Sequence, residues 1–296
     1  MATAKNKKLI KLIITVFTFT LKYPRILLIF LAIGGGWSLL ESQIFRSNMT
    51  YKGEPKAQSW ATMNTWFRIF RNDDFMLGYS DIRGNALWVI YQIETVPKNA
   101  KRLKRPSRFT EDWRAINRIN PNDYKKSGYD RGHLAPNYAI SRLYGKQSQL
   151  DTFLMTNITP QKPKLNRKLW QRLEAAEIGF FTKKFKKIWV ITGPIFTGST
   201  ERLSSSWKVE IPDAFYKIYV AEQDNAPPKM LAFLMPQKVN GRESLANYTT
   251  SVDEIEKLTQ LDFFSELEDV IEDKVEASID SQSWQLKKVA NKPSRY

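Results

Sequence analysis

The sequence predicts an α+β domain, layered α/β/α around a mainly antiparallel sheet and preceded by one apolar helix. Three observations lead there. Short apolar runs rich in β-branched and aromatic residues recur between turn signals, and segments with helical spacing lie between them. Strands so close in sequence favour antiparallel neighbours. The N-terminal stretch, by contrast, is apolar almost throughout.

Residues 1–41 form a basic segment followed by a hydrophobic anchor. Two apolar blocks, Leu12–Leu21 and Ile26–Leu40, are split by Lys22, Pro24 and Arg25. The first is too short to span a bilayer and the second is marginal, because a span takes about 20 apolar residues. One helix over Tyr23–Glu41 is the preferred reading. Lys5, Lys7, Lys8, Lys11, Lys22 and Arg25 all precede Ile26, which favours a cytoplasmic N-terminus and an exported C-terminal domain. A cleaved signal peptide is the rival, although "GGGWSLLES" offers no clear small-x-small cleavage site. A re-entrant or surface-lying segment is a third alternative. Residues 42–58 are polar and read as a linker, and residues 59–290 as one globular domain without internal repeats.

Within that domain, Ala86–Glu94, Lys187–Phe196, Ala214–Glu222 and Met230–Pro236 carry strand signals. Leu165, Leu169, Leu173, Ala176 and Phe180 recur at near-helical spacing. Ser251 and Asp253 open a second helical segment that runs on to Ala277, where they suit a helix N-terminus. Val96–Gly132 has no periodicity. It is basic at Lys98, Lys101, Arg102, Lys104, Arg105, Arg108 and Arg114, with Phe109 and Trp113 interleaved, a pattern that suits a phosphodiester backbone.

Composition narrows the chemistry. The net charge of +16 favours a polyanionic partner, nucleic acid or an anionic membrane surface. Cysteine is absent, so disulfides, thiolate catalysis and cysteine-rich zinc sites are excluded. A single histidine, His133 in "SGYDRGHLAPNYA", excludes multi-histidine metal clusters and carries any imidazole chemistry there is.

Hydrolysis of a phosphodiester needs a base that takes a proton from water, and positive charge where oxygen becomes negative. A neutral imidazole, with an ordinary pKa of about 6.5, suits the first task. Guanidinium groups and a hard divalent cation held by oxygen donors suit the second. His133 follows Asp130 and Arg131, and "FLMTNITPQKPKLNRKLWQRLE" brings Asn157, Gln161, Asn166 and Glu174. On an ideal α-helix Asn166 and Glu174 stand roughly 80° apart and a little over two turns along the axis. A cation on Asn166, with Glu174 acting through bound water, fits that spacing. The uncharged amide ligand would leave the ion most of its waters, as Mg²⁺ prefers.

The stretches "YDRGHLAPNYA", "FLMTNITPQ", "LNRKLWQRLE" and "VITGPIF", in that order, resemble the DNA/RNA non-specific endonucleases, the family with the DRGH motif. The resemblance runs from about Gly78 to Phe264. It implies a ββα-metal nuclease fold and Mg²⁺-dependent, largely sequence-non-specific hydrolysis of DNA and RNA, with Mn²⁺ as the alternative ion. It also implies that His133 is the general base, Asn166 the direct metal ligand and Glu174 the acid that holds metal-bound waters. Arg131 matches the motif arginine near the scissile phosphate, and Asn157 matches a site asparagine with a positioning role; both are counted with the catalytic residues. Asp130 orients the motif and is counted with the substrate-binding residues. Arg105 and Arg108 both fall near the place of an upstream arginine that contacts phosphate. The chain departs from the pattern at Ile178, where some members carry arginine, and at Gln260, where glycine is common. Expected partners are nucleic acid and, through the N-terminal segment, membrane; a homodimer and an inhibitor protein stay open. The alternatives are a non-catalytic nucleic-acid-binding protein on the same fold and a phosphodiesterase for a small nucleotide or lipid headgroup.

Overall fold

The computed structural model describes residues 22–198 and 200–295, together with residues 11, 15, 18 and 19. Most of Leu12–Leu21, and Lys5, Lys7 and Lys8, lie outside the described residues. The chain divides into two units, Met1–Asn48 and Met49–Tyr296.

In the first unit a helix runs over Pro24–Leu40 and continues through Glu41–Arg46 in a wider turn. Proline suits its first turn, where no partner exists for a backbone N–H. Leu28, Ile29, Phe30, Leu31 and Ile33 are all exposed. The helix is therefore apolar around its whole circumference, as lipid requires. Leu28–Met49 is long and apolar enough to cross a membrane by length and composition.

The second unit is built on a seven-stranded antiparallel sheet. Its strands are β2 (Arg68–Arg71), β3 (Phe75–Ser80), β4 (Asn85–Glu94), β7 (Lys187–Ile195), β10 (Ala214–Ala221), β11 (Lys229–Pro236) and β12 (Thr249–Thr250), in the order β12-β11-β10-β7-β4-β3-β2. Three two-stranded pairs accompany it: β1 (Lys56–Ala57) with β13 (Leu261–Asp262), β5 (Asp130–His133) with β6 (Ile158–Gln161), and β8 (Arg202–Leu203) with β9 (Ser206–Glu210). The central strands read as continuous apolar runs because both faces of the sheet are covered. On one face Val89, Tyr91, Phe215 and Tyr219 meet Leu165, Leu169, Trp170 and Leu173 of a helix spanning 165–185. On the other, Trp88, Ile191, Tyr216 and Ile218 meet Val252, Ile255, Phe263 and Val275. Trp88, Trp170 and Trp284 are fully buried, and large side chains of this kind contribute about 1.5–3 kcal/mol each on burial.

Two expectations change. The segment from Ser251 does not run as one helix. Ser251 accepts from the Glu254 N–H, the helix covers Val252–Thr259, and Gln260 ends it in the left-handed conformation (φ 57°). That backbone is the physical reason glycine suits this position. Leu261–Asp262 then turns to pair with Lys56–Ala57, and Phe263 inserts against Tyr216 at 5.6 Å between ring centroids. A second helix follows at Asp269–Glu276. The linker expected at 42–58 also belongs in part to the globular unit: Thr50, Gly53 and Pro55 are buried there, and Lys56 and Ala57 are in β1.

Candidate active site

β5 and β6 pair antiparallel, with Asp130 opposite Gln161, Gly132 opposite Thr159 and His133 opposite Ile158. The glycine is required by close approach, since a Cβ at 132 would stand 2.2 Å from Gln161 Oε1. Asn157 braces the hairpin from beneath. Its Oδ1 accepts from the Ala135 N–H (2.9 Å), and its Nδ2 donates to the carbonyls of Ala135 and Thr152 (both 3.0 Å). It is fully buried and does not line the cleft, and its polar atoms are spent on the backbone next to His133.

His133 emerges between Phe109 and Phe153, at 5.4 and 5.1 Å between ring centroids. Its Nε2 is buried and has no hydrogen-bond partner among the described residues. Burial, and then the Arg105 guanidinium, push the imidazole down to about 3. It is therefore neutral at physiological pH, the form from which a general base acts, while the same burial weakens it as a proton acceptor.

The helix 165–185 carries the other half of the site. Asn166 Nδ2 donates to Asp130 Oδ2 (3.0 Å), and Arg167 holds the same carboxylate through Nε (2.8 Å) and Nη2 (2.6 Å). The amide is thereby oriented through its Nδ2 end. Burial alone would raise the Asp130 carboxyl, but the bonds from Arg167 and Asn166 outweigh it and hold it below the usual range. Asp130 does not line the cleft, and an occupied carboxylate repels phosphate. What its carboxylate holds among the described residues is Asn166 and Arg167.

Asn166 and Glu174 line the same cleft rather than adjoining helix faces. The first turns, Leu165–Trp170, are π-helical, so each residue advances less around the axis than in an α-helix. Glu174 makes no hydrogen bond to another described residue. Burial pushes its carboxyl up to about 7 against the pull of Lys217; Glu177 adds to the rise, while Arg105 and Arg295 oppose it.

The cleft is about 290 Å³ and is also lined by Arg105, Arg131, Ile178 and Arg295. Arg105 lies over the Phe153 ring at 5.1 Å and Arg131 over Phe109 at 4.8 Å. Arg108 is exposed outside the cleft, so the geometry separates two arginines that the sequence left equivalent.

Sequence reasoning missed two parts of this arrangement. Lys217 lies fully buried on β10, where it donates to Glu177 Oε2 (3.2 Å) and to the Tyr91 hydroxyl (3.2 Å). Tyr91 and Tyr219 donate to Glu177 at 3.0 Å each. The available signal was a lysine in the middle of "AFYKIYVAE", a charge inside a strand covered on both faces. Arg295 had no local signal. Its guanidinium packs over Tyr138 at 5.1 Å, and its N–H donates to Gln171 Oε1 at 2.8 Å. It brings positive charge to the cleft, where it acts on Glu174.

Residues 63–270 match the family described as DNA/RNA non-specific endonuclease. Human mitochondrial endonuclease G is 29% identical over 203 residues, covering 64% of this chain and 67% of its own length. A nuclease of Nostoc sp. is 31% identical over 223 residues, covering 71% and 77%. A solved structure of EndoG with its inhibitor EndoGI superposes with a TM-score of 0.59 at 22% identity, over 71% of this chain and 95% of that one, and shares its fold.

Proposed function

The chain belongs to the DNA/RNA non-specific endonuclease family and is a phosphodiester hydrolase, and we propose that it cuts DNA and RNA with His133 as the base that activates water. One observation carries this reading: His133, Arg105, Arg131, Asn166 and Glu174, distant in sequence, line one cleft. The desolvated, neutral imidazole takes the water proton at its unpaired Nε2. Arg131 and Arg105, held over aromatic rings, place positive charge where the phosphate oxygens become more negative. Arg295 supplies a further guanidinium to the cleft. Asn157 and Asp130 position His133 and Asn166 respectively.

The donor set fits a hard divalent cation. Asn166 presents an oriented amide oxygen and Glu174 an unbonded carboxylate, both in the cleft, and neither is a soft ligand. Mg²⁺ held there, or Mn²⁺ in its place, would supply Lewis-acid stabilisation of negative charge. Nicking of supercoiled plasmid, and cleavage of an RNA duplex, by the full chain before and after EDTA tests the reading. Cleavage that EDTA stops and Mg²⁺ restores is expected; cleavage indifferent to EDTA overturns the metal assignment. Binding without cutting would instead identify a nucleic-acid-binding protein on this fold.

The N-terminal helix and the basic residues ahead of it support a membrane tether with the nuclease domain exported. Protease added to intact cells then removes the domain, whereas protection alongside a digested exported control refutes the topology. The open cationic cleft also suits capture by an acidic inhibitor protein.

A further inference from the structure

The face of the sheet opposite the cleft carries a second group of carboxylates. Asp253 and Glu256 stand three residues apart on the helix Val252–Thr259, so they share a side of it. Glu276 comes from the last turn of the helix Asp269–Glu276. One carboxylate oxygen from each lies within 4.8 Å of the others. That is the span of a calcium coordination shell, in which oxygens stand about 2.3–2.6 Å from the ion.

Glu276 is the unusual member. It is 5% exposed, and its Oε1 has no hydrogen-bond partner. The charges acting most strongly on it are Glu256, Glu272, Asp253 and Asp262, all of its own sign. Glu256 is partly committed, accepting from the Phe263 N–H at 2.6 Å, which leaves its second oxygen for another partner. A buried carboxylate without a partner, facing other carboxylates, is unstable unless a positive species joins it. In a chain of net charge +16, no basic side chain is hydrogen-bonded to these three among the described residues; Lys56 acts on the neighbouring Asp262 and Glu272 instead.

We propose that Asp253, Glu256 and Glu276 bind a hard divalent cation that joins the two C-terminal helices across the face of the sheet opposite the nuclease cleft. The cation neutralises the buried carboxylate and fixes both helices over Ile255 and Val275 in the core. Glu276 lies beyond residues 63–270, so the site uses a ligand from outside the part of the chain that matches the family.

Calcium alone is the probe, added to the full chain after EDTA stripping. Thermal unfolding and calcium stoichiometry by equilibrium dialysis are measured for wild type, Glu276→Gln and Asp253→Asn. A calcium concentration of a hundred times the dissociation constant should raise the wild-type Tm by about 5–10 °C. Glu276→Gln should bind one fewer ion per chain and lose that rise while keeping Mg²⁺-dependent cleavage, which also shows that it folds. Asp253→Asn should weaken binding at least tenfold. The double variant Asn166→Ala/Glu174→Gln should keep the Glu276-dependent rise, which separates this inference from the proposed nuclease centre. Equal stoichiometry and equal Tm rise in wild type and Glu276→Gln would overturn the site. So would a wild type indifferent to calcium, which would make a proton the species that neutralises Glu276.

Discussion

On one face of the sheet the fully buried Glu177 is met by Lys217 and two tyrosine hydroxyls; on the other, buried Glu276 is met by further carboxylates. The first carboxylate is compensated by the chain itself, and the second is not. The difference shows how a fold decides which acids are free for chemistry. Because Lys217 is engaged by Glu177, Glu174 one turn earlier feels that ammonium without being bonded to it, and its carboxylate faces the cleft without a hydrogen bond to another described residue. On the opposite face no basic side chain is hydrogen-bonded to Asp253, Glu256 or Glu276 among the described residues, and Lys56 acts only on the neighbouring Asp262 and Glu272.

The largest effect tests whether nucleic-acid chemistry is confined to the first face. His133→Ala should lower kcat by roughly 10²–10⁴, the usual contribution of a positioned base, with substrate affinity largely kept. Glu276→Gln should leave kcat within about twofold. Near-normal turnover in a folded His133→Ala protein would remove the imidazole from the mechanism.

Next comes the compensated pair. Lys217→Met should destabilise the domain by about 3–5 kcal/mol, because it strands Glu177 in the core. Adding Glu177→Leu should restore much of that loss, since apolar replacements of buried pairs are tolerated. Urea unfolding reads both. If the single variant unfolds at the wild-type midpoint, the two faces do not differ in compensation.

A smaller contrast lies within the basic loop. Arg105→Ala should reduce kcat about ten- to a hundredfold, because its charge acts in the cleft as the transition state forms. Arg108→Ala, like neutralisation of Lys101, Arg102 or Lys104, should chiefly weaken affinity and flatten the log–log salt dependence by about 0.9 for each duplex phosphate no longer neutralised. Measurement of kcat and KM across a salt series separates them; equal effects on kcat would place Arg108 at the phosphate as well.

The smallest effect is in stability against pH. The His133 pKa is depressed by folding, so between about 3 and 6.5 the unfolded chain binds more protons than the folded one. Stability from this group is complete above about 6.5 and declines as pH falls towards 3. Urea midpoints at pH 7 and pH 5 should differ more in wild type than in His133→Asn. The same difference in both would mean that the imidazole is not desolvated by folding.

Much of this was legible in local pattern. The four long strands and the helix from Leu165 follow from apolar runs and spacing, which are properties of neighbouring residues, whereas the aperiodic segment Val96–Gly132 concealed a 3-10 turn at Pro121–Tyr124 and the start of β5. His133 stood out because the chain has no other imidazole, and the segments around Arg131, Asn166 and Glu174 carried a recognisable family pattern. The long helix expected from Ser251 failed because its spacing hid a stop: Gln260 takes a left-handed backbone that only the pairing of Leu261–Asp262 with Lys56–Ala57 makes worthwhile.

What the sequence by itself determined is the set of elements and the type of chemistry, because propensity, periodicity and side-chain acidity are local quantities. Only the tertiary structure decided which like residues differ in role. It set Arg105 in the cleft and Arg108 outside, turned Asn157 and Asp130 into supports, brought in Arg295, and gave Glu177 a lysine while leaving Glu276 without one. Those outcomes depend on burial and on the charges that long-range packing brings near, and neither is a property of a residue's neighbours in sequence.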